Sequence, residues 1–251
     1  MADAIARHCQ ELNRCNQRGG RMLSIFDLLA AKTLDLDLAA YLMARISKGA
    51  SFMVGAAPGR AGKTTVMCAL LNFVPVDVSL AAATPEAVRR AADQAVVRRV
   101  CYVCHEIGSG PYYAYLWSDA LRTYCELSER GHMLATNLHA DDISQARSQV
   151  CGTNGVPTDH FNSFELLIFL RVGGGYSGAR RWIDLVYSSD GSSEHELVFT
   201  TAKNSGASPT IHADPGYVAA CRDFLGETAA QSRTIEQTRE CVIEFLVKNS
   251  S

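Results

Sequence analysis

A glycine-rich segment between an apolar run and a helical pattern constrains the fold more than any other feature of the sequence. The segment reads Ala57-Pro58-Gly59-Arg60-Ala61-Gly62-Lys63-Thr64, followed by Thr65. The apolar run at residues 51–54 is typical of a short buried strand, and a helix is predicted from Gly62 to about Asn72. A strand, a glycine-rich loop and a helix in this order predict a Walker A loop, in which backbone N–H groups surround phosphate.

The residue types in this loop suit nucleotide binding. The ammonium group of Lys63 would neutralise charge on the β- and γ-phosphates, and the hydroxyl group of Thr64 would coordinate Mg²⁺. The loop has Ala57 where glycine is common, although alanine is disfavoured at positive φ, and Arg60 where a small residue is common. An ordinary turn is the alternative interpretation. We favour a site for ATP or ADP at residues 57–65, because Gly-Lys-Thr-Thr is uncommon by chance in this context.

The segments that follow alternate between strand and helix patterns. Further strands are predicted at residues 76–81, 100–104 and 132–138. Helices are predicted between them, at residues 85–97, at residues 111–130 and from Asp141. This alternation predicts an α/β fold with a mostly parallel sheet and helices on both faces.

The pattern changes in the last third of the chain. Strand-like runs at residues 164–172, 182–187 and 196–200 are separated by turns at residues 173–178 and 190–191, which predicts an antiparallel β meander. A polar loop at residues 204–214 leads to two C-terminal helices. Near the start of the chain, residues 1–20 are predicted to be helical, Ser24 to cap a helix, and a further helix to run from Asp35 to Lys48.

Composition and charge exclude several function classes. The 251 residues carry a net charge of -2, so no electrostatic argument favours a nucleic-acid partner. No apolar run reaches the roughly 18 residues that span a bilayer. Residues 1–20 also lack a signal-peptide core. We therefore expect a cytoplasmic protein that is not integral to a membrane.

The nine cysteines are an odd number scattered through apolar segments, which indicates reduced thiols rather than a disulfide framework. Cys101 and Cys104 form a CxxC sequence within a predicted strand. Residues i and i+3 of a strand point to opposite faces, so core packing is favoured over a shared metal or redox site.

Three motifs together resemble one known family. After Gly62-Lys63-Thr64-Thr65, the sequence His105-Glu106-Ile107 follows an apolar strand, and residues 131–140 read Gly-His-Met-Leu-Ala-Thr-Asn-Leu-His-Ala. In order and spacing these motifs resemble the Walker A, Walker B and His boxes of the ATPases of type II and type IV secretion systems and pilus motors. The resemblance extends from Met22 to Thr201 and implies a RecA-like P-loop NTPase core.

The resemblance implies a role for each matching residue. Lys63 and Thr64 match the Walker A lysine and the threonine that binds Mg²⁺. Glu106 matches the Walker B glutamate, which would orient the attacking water or hold it through Mg²⁺, and His139 matches the histidine that senses the γ-phosphate. Without the resemblance, Glu106 is an acid at the carboxyl end of a strand, where open α/β sheets place active sites, and a structural role is favoured for His139.

The sequence also departs from the family. Ala82 and Ala83 stand where the family has an acidic pair, and Asp77 or Glu86 are the candidates to compensate. His105 replaces a small residue beside Glu106. Only residues 1–21 precede the matching stretch, where the family usually has a separate N-terminal domain.

Two further sets of residues were considered for ligand contacts. The arginines that could contact phosphate, none of them favoured individually, are Arg89, Arg90, Arg98 and Arg99. For the aromatic residues predicted at the start of a helix, packing is favoured over base stacking; they are Tyr112, Tyr113, Tyr115 and Trp117.

These features predict an ATPase that couples hydrolysis to protein transport or pilus assembly, with Glu106 and His139 catalytic and Thr64 and Glu106 binding Mg²⁺. By resemblance, its partners would be other copies in a hexamer and a membrane platform protein. The alternatives are a regulatory module that binds nucleotide with little or no hydrolysis and, with less support, a small-molecule kinase. We divide the chain into a helical extension (1–21), a RecA-like core (22–205) and a C-terminal helical segment (206–251).

Overall fold

The computed structural model describes residues 2–16, 19–57, 59–174, 178–202, 211–228 and 233–249. Pro58 of the predicted phosphate loop, residues 175–177 of the predicted turn and most of the predicted loop at 204–214 lie outside these ranges.

The strands lie in two sheets. In chain order they are β1 (Phe52–Gly55), β2 (Ser79–Ala82), β3 (Val100–Cys104), β4 (Glu106–Ile107), β5 (Tyr115–Leu116), β6 (Met133–Leu138), β7 (Leu166–Gly173), β8 (Arg180–Ser188) and β9 (Glu196–Thr200). The larger sheet has seven strands in the order β2-β3-β6-β1-β7-β8-β9, and β4 pairs only with β5.

Strand direction divides the larger sheet into two parts. The five strands from β2 to β7 are parallel, whereas β7, β8 and β9 are joined antiparallel. The predicted α/β fold, with a mostly parallel sheet and an antiparallel meander, is therefore confirmed. The chain leaves β1 towards β2, while β7 lies on the other side of β1, so a crevice opens at the carboxyl end of β1.

Helices cover both faces of the sheet. They are α1 (Ala2–Cys15), α2 (Ile25–Ala30), α3 (Leu36–Ser47), α4 (Lys63–Leu71), α5 (Pro85–Asp93), α6 (Ser118–Glu126), α7 (Ile143–Arg147), α8 (Thr158–Asn162), α9 (Pro215–Thr228) and α10 (Ile235–Lys248). A π-helical turn, Ser148–Thr153, continues α7. In the described part of the chain, no helix combines the length and apolar character needed to cross a membrane.

The two faces of the sheet bury separate apolar clusters, because alternate side chains of a strand point to opposite faces. Phe52 and Val54 pack with α1, α3 and α4, whereas Met53 packs with α5 and α6 on the other face. Cys101 and Cys104 also pack on opposite faces of the sheet, as predicted. All nine cysteines are free thiols. The C-terminal helices α9 and α10 join the face of α1, so the domain division at residues 21 and 205 stays a prediction.

Several predicted helix boundaries are confirmed by their caps. Ser24 forms the predicted capping box with Asp27, and Asp35 caps α3 by accepting a hydrogen bond from the backbone of Leu38. Thr84 caps α5, with Pro85 in its first turn. These side chains satisfy backbone groups that the first turn of a helix leaves unpaired.

The prediction of a helix at residues 111–130 is wrong for the first half of that range. Ala114 and Ser118 both adopt positive φ, of 54° and 53°, which a continuous right-handed helix does not permit. Tyr115 instead pairs with Glu106 in the small sheet, and α6 begins only at Ser118. The helix that starts at Pro85 ends at Asp93 rather than near Val97, and β2 lies slightly later than predicted.

Candidate active site

The predicted phosphate loop begins where β1 has no space for a side chain. A Cβ atom at Gly55 would lie 2.6 Å from the carbonyl oxygen of Ala140 and 2.6 Å from the ring of Phe169. Beyond it, Arg60 and Gly62 have φ of 66° and 95°, so the loop turns through the left-handed region twice. Ala57 is not among the described residues with positive φ, so its departure from glycine adds no strain of the kind considered from the sequence.

The loop is followed directly by the N-terminus of α4. Gly62 is the N-cap residue, and because it has no side chain, no cap side chain accepts a hydrogen bond from the first-turn amides. First-turn amides and the positive end of a helix dipole are the groups that bind anions at helix N-termini in general. Lys63 is buried within this first turn, and the half-buried Thr64 and Thr65 line the adjacent cavity.

Three side chains predicted from separate motifs converge beside this helix end. The Nζ atom of Lys63 lies 3.4 Å from Oε1 of Glu106, and Nε2 of His139 lies 3.4 Å from the same oxygen. Nδ1 of His139 is 3.3 Å from Nζ of Lys63 and 3.1 Å from the carbonyl oxygen of Ala57. The sequence-predicted residues Lys63, Glu106 and His139 are therefore mutual neighbours.

The backbone at Glu106 is fixed on both sides. The backbone of Glu106 pairs with Tyr115, and the preceding residue, His105, accepts a hydrogen bond at its carbonyl oxygen from the side chain of Asn137 at 2.8 Å. Oε1 of Glu106 is buried and lies 3.4 Å from both Nζ of Lys63 and Nε2 of His139 without hydrogen-bond geometry. A buried oxygen in this state has unused capacity to accept a hydrogen bond or bind a cation.

A cavity of about 850 Å³ opens next to the three side chains. Residues 59–65 form one wall, and the segment after α1 forms another, with Arg21, Met22 and Leu23. Glu106 and His139 lie at the same cavity. Its volume lies within the range of small-molecule and cofactor sites, and its walls combine charged and apolar groups.

The arginines at this cavity are different from those considered in the sequence. Arg89 bonds to its own helix, at the carbonyl oxygen of Pro85, and Arg99 bonds to the carbonyl oxygen of Gly131. Among the described residues that line the cavity are instead Arg180 and Arg181, and Nε of Arg181 donates to the carbonyl oxygen of Arg60 at 3.0 Å. The only sequence signal for this pair is its position at the start of a strand in the meander.

The two acids suggested to compensate for the missing pair do not reach the site. Glu86 is exposed on α5 and pairs with Arg89, and neither Glu86 nor Asp77 is among the described residues that line the cavity. Ala82 ends β2, and Ala83 is fully buried.

The aromatic residues before α6 are only partly packed. Tyr112 and Tyr113 are 62% and 49% exposed, so they do not belong to the core, but the ring of Tyr113 packs edge-on against that of His105. They lie on an irregular segment rather than on a helix, and that segment reaches the protein surface. Tyr115 lines the cavity, and its ring centroid lies 5.0 Å from that of Tyr112.

Comparisons with known proteins were made on sequence and on structure. No protein-family model matches the chain, and no curated protein matches its sequence. Solved structures to which the chain is similar include three ATPases. One is the VirB11 ATPase of the Brucella suis type IV secretion system, solved with sulphate.

The overlap with these neighbours is partial. The VirB11 structure is 16% identical and covers 71% of this chain, with a TM-score of 0.44. The ATPase DotB from Legionella pneumophila is 12% identical and covers 89% (TM-score 0.41), and DotB from Yersinia pseudotuberculosis is 10% identical and covers 90% (TM-score 0.45). The chain spans 55%, 65% and 63% of the length of these three structures, respectively.

Proposed function

We propose that this protein binds Mg²⁺-ATP at the N-terminus of α4 and hydrolyses it. One observation carries the proposal: Lys63, Glu106 and His139, which are distant in sequence, meet beside an uncapped helix N-terminus at a cavity of about 850 Å³. Cationic and amide donors suit a triphosphate, and the adjacent carboxylate suits the activation of water.

The first-turn amides and Lys63 would hold the phosphates. Thr64 and Glu106 fit a hard cation, because a hydroxyl group and a buried carboxylate oxygen with unused accepting capacity are ligands that Mg²⁺ prefers. When bound, Mg²⁺ would neutralise charge on the phosphate oxygens. Glu106 would also orient the attacking water and accept its proton.

His139 is suited to report the state of the γ-phosphate. Its ring is 50% exposed, while one nitrogen contacts Glu106 and the other contacts Lys63 and the loop carbonyl of Ala57. A phosphate that bound between these groups would compete for the same contacts. Its loss would let the ring return to them, and the change would pass to the segment between β6 and α7.

The wider function follows from the sequence resemblance. We infer that hydrolysis drives protein transport or pilus assembly, through a homo-oligomer and a membrane platform protein. The second candidate is a nucleotide-binding regulatory module, favoured by the exposed position of Glu86 and by Ala82 and Ala83 in place of acids.

Steady-state ATP turnover and nucleotide calorimetry, run on the same variants, test the proposal. Lys63→Ala should weaken nucleotide binding by about 100-fold or more, and Glu106→Gln should keep binding but lower turnover by about 100-fold or more. Lys48→Ala is the matched control, because Lys48 lies over the ring of Tyr217, outside the cavity lining. Unchanged binding in Lys63→Ala would contradict the site.

Turnover in the wild-type protein decides between the two candidate functions. Tight binding without measurable hydrolysis would support the regulatory module. Sedimentation with and without nucleotide tests the oligomer separately, since a ring that forms only with nucleotide would indicate coupling between the site and assembly.

A further inference from the structure

Two cysteines and a histidine form a cluster where α1 packs against α4, at the wall of the same cavity. Cys15 ends α1, Cys68 lies on α4 one turn beyond Thr64, and His105 follows β3. Sγ of Cys15 lies 3.2 Å from Nε2 of His105, and the thiol of Cys68 is within hydrogen-bond reach of Cys15. The proposed nucleotide chemistry uses none of the three side chains.

The thiol of Cys15 differs from the other buried thiols of the protein. Burial raises the pKa of Cys9, Cys101 and Cys104 to about 12. The pKa of Cys15 is instead lowered, chiefly by hydrogen bonding with Cys68 and also by His105, against the effects of burial and of the Glu11 carboxylate. The thiolate is the nucleophilic form of cysteine, so this environment favours reaction at Cys15.

Two members of the cluster, Cys15 and His105, face the cavity. Cys15 and His105 are 4% and 5% exposed, and both line the cavity together with Lys63 and Glu106. Nδ1 of His105 is buried without a hydrogen-bond partner among the described residues. A small polar reagent in the cavity would therefore meet the thiol of Cys15 and its histidine partner.

We propose that Cys15 is a modification site that reacts with hydrogen peroxide and then forms a disulfide bond with Cys68. The Cys15 sulfur attacks one peroxide oxygen; an S–O bond forms, the O–O bond breaks, and the other oxygen leaves as hydroxide and becomes water on protonation. The Cys68 sulfur then attacks the Cys15 sulfur; an S–S bond forms and the S–O bond breaks. The hydroxyl group leaves as water with the Cys68 proton, so two thiols are oxidised and one peroxide is reduced to two waters.

The disulfide would join α1 to the helix that carries the phosphate loop. Because Cys15 and Lys63 line one cavity, bound nucleotide should also slow the entry of peroxide. This protection rests on the proposed function, but the disulfide itself does not.

Peptide mapping of the full chain tests the proposal. After exposure to hydrogen peroxide and alkylation of the remaining thiols, non-reducing digestion should give a Cys15–Cys68 linked peptide that disappears on reduction. The peptide should be absent from Cys15→Ser and Cys68→Ser but present in Cys9→Ser, the matched control on the same helix. Failure of the wild-type protein to give the linked peptide would overturn the proposal.

Relative labelling within one wild-type molecule needs no variant and so does not depend on how a variant folds. Iodoacetamide should label Cys15 at least about 10-fold faster than Cys9. Equal rates would overturn the assignment of Cys15 as the reactive thiol.

The role of His105 as a positioning residue has its own measurement. In His105→Asn, the pH at half-maximal labelling of Cys15 should rise by about one unit or more, because the thiolate loses a hydrogen-bond donor. An unchanged pH profile would remove His105 from the proposal. Repeating the peroxide experiment with Mg²⁺-ATP separates the two proposals. If the linked peptide forms equally fast with and without Mg²⁺-ATP, the proposed nucleotide position is contradicted, whereas the proposed disulfide bond is not.

Discussion

The two ends of helix α4 differ in the side chains that contact their terminal backbone groups. At the N-terminus, Gly62 offers no capping side chain, and the first turn faces a cavity. At the C-terminus, the guanidinium group of Arg239, from α10, donates to the carbonyl oxygens of Asn72, Val74 and Pro75 at 2.7, 2.6 and 3.2 Å. Arg239 is only 3% exposed, so this end is closed by a buried contact across the fold.

This difference assigns a separate role to each end of α4: the N-terminal end is suited to bind a ligand, and the C-terminal end stabilises the fold. Backbone amides of a first helical turn that no capping side chain contacts suit an anion. A cation at the opposite end interacts favourably with the helix dipole and fixes the position of α4 against the C-terminal segment. The open end should therefore control ligand affinity, and the closed end should control stability.

Arg239→Met gives the largest expected effect and tests the closed end. It removes the donors to three carbonyl groups, two of them in buried contacts, and should lower the free energy of unfolding by about 3–5 kcal/mol, measured by urea denaturation. Arg222→Met is the matched control, because Arg222 forms an exposed pair with Asp37, and it should cost less than about 1 kcal/mol. If the two substitutions lowered the free energy of unfolding equally, the contacts of Arg239 would have no special role in stability.

Gly62→Ala tests the open end. Alanine at a φ of 95° costs about 1–2 kcal/mol. Its Cβ atom would also lie 3.3 Å from Cδ of Arg181. Calorimetry should show nucleotide affinity reduced by about 10-fold or more, because the loop must shift around the anion site. Gly59→Ala, where a Cβ atom meets no described heavy atom within 4 Å, should change affinity little.

The pH dependence of stability gives a second test of the C-terminal end of α4, because His8 lies close to Arg239 there. Burial, and then the charge of Arg239, hold the pKa of His8 well below its usual value of 6.5, so His8 stays neutral in the folded protein while the unfolded chain takes up a proton. Stability should therefore fall as the pH drops below 6.5. The expected loss is about 1.4 kcal/mol between pH 7.5 and 5.5.

His8→Gln isolates this contribution from those of other histidines. The difference in unfolding free energy between wild type and His8→Gln should decrease between pH 7.5 and 5.5 by about the same amount, about 1.4 kcal/mol. If this difference in unfolding free energy stays constant between pH 7.5 and 5.5, protonation of His8 does not contribute to the pH dependence of stability.

Arg181→Gln gives the smallest expected effect. The side chain of Arg181 crosses the phosphate loop at the carbonyl oxygen of Arg60 and is exposed, so its loss should reduce nucleotide affinity by about 3–10-fold and alter stability by less than about 0.5 kcal/mol. Arg98→Gln, on a surface that does not line the cavity, is the control. A loss of affinity in both variants would indicate general electrostatics rather than a contact at the loop.

Local sequence patterns predicted the open end of α4 but not its closed end. Gly62, Lys63 and Thr64 are consecutive, and the strand and helix around them leave a clear pattern. Glu106 could be predicted from its position at the carboxyl end of an apolar strand, whereas His139 was predicted from the resemblance of its motif to a known family. Their mutual contacts required the strand order, which the sequence pattern does not specify.

The contacts that sequence patterns missed join distant parts of the chain. Arg239 lies 167 positions from Asn72, and Cys15 lies 90 positions from His105. Nothing in the spacing around Arg239 distinguishes it from an exposed arginine of an amphipathic helix. The error at residues 111–117 has another cause, since Ala114 adopts a positive φ that its residue type does not signal.

Strand β6 also limits where the proposed sensor can move. It pairs with β3 through residues 133–136 and with β1 through residues 135–138, so a slide along its axis would break hydrogen bonds on both sides at once. The ladder ends at Leu138, where its carbonyl oxygen accepts from the backbone of Ala56. A movement started by the proposed sensor would therefore pivot near His139 and leave the strand pairing of the sheet unchanged.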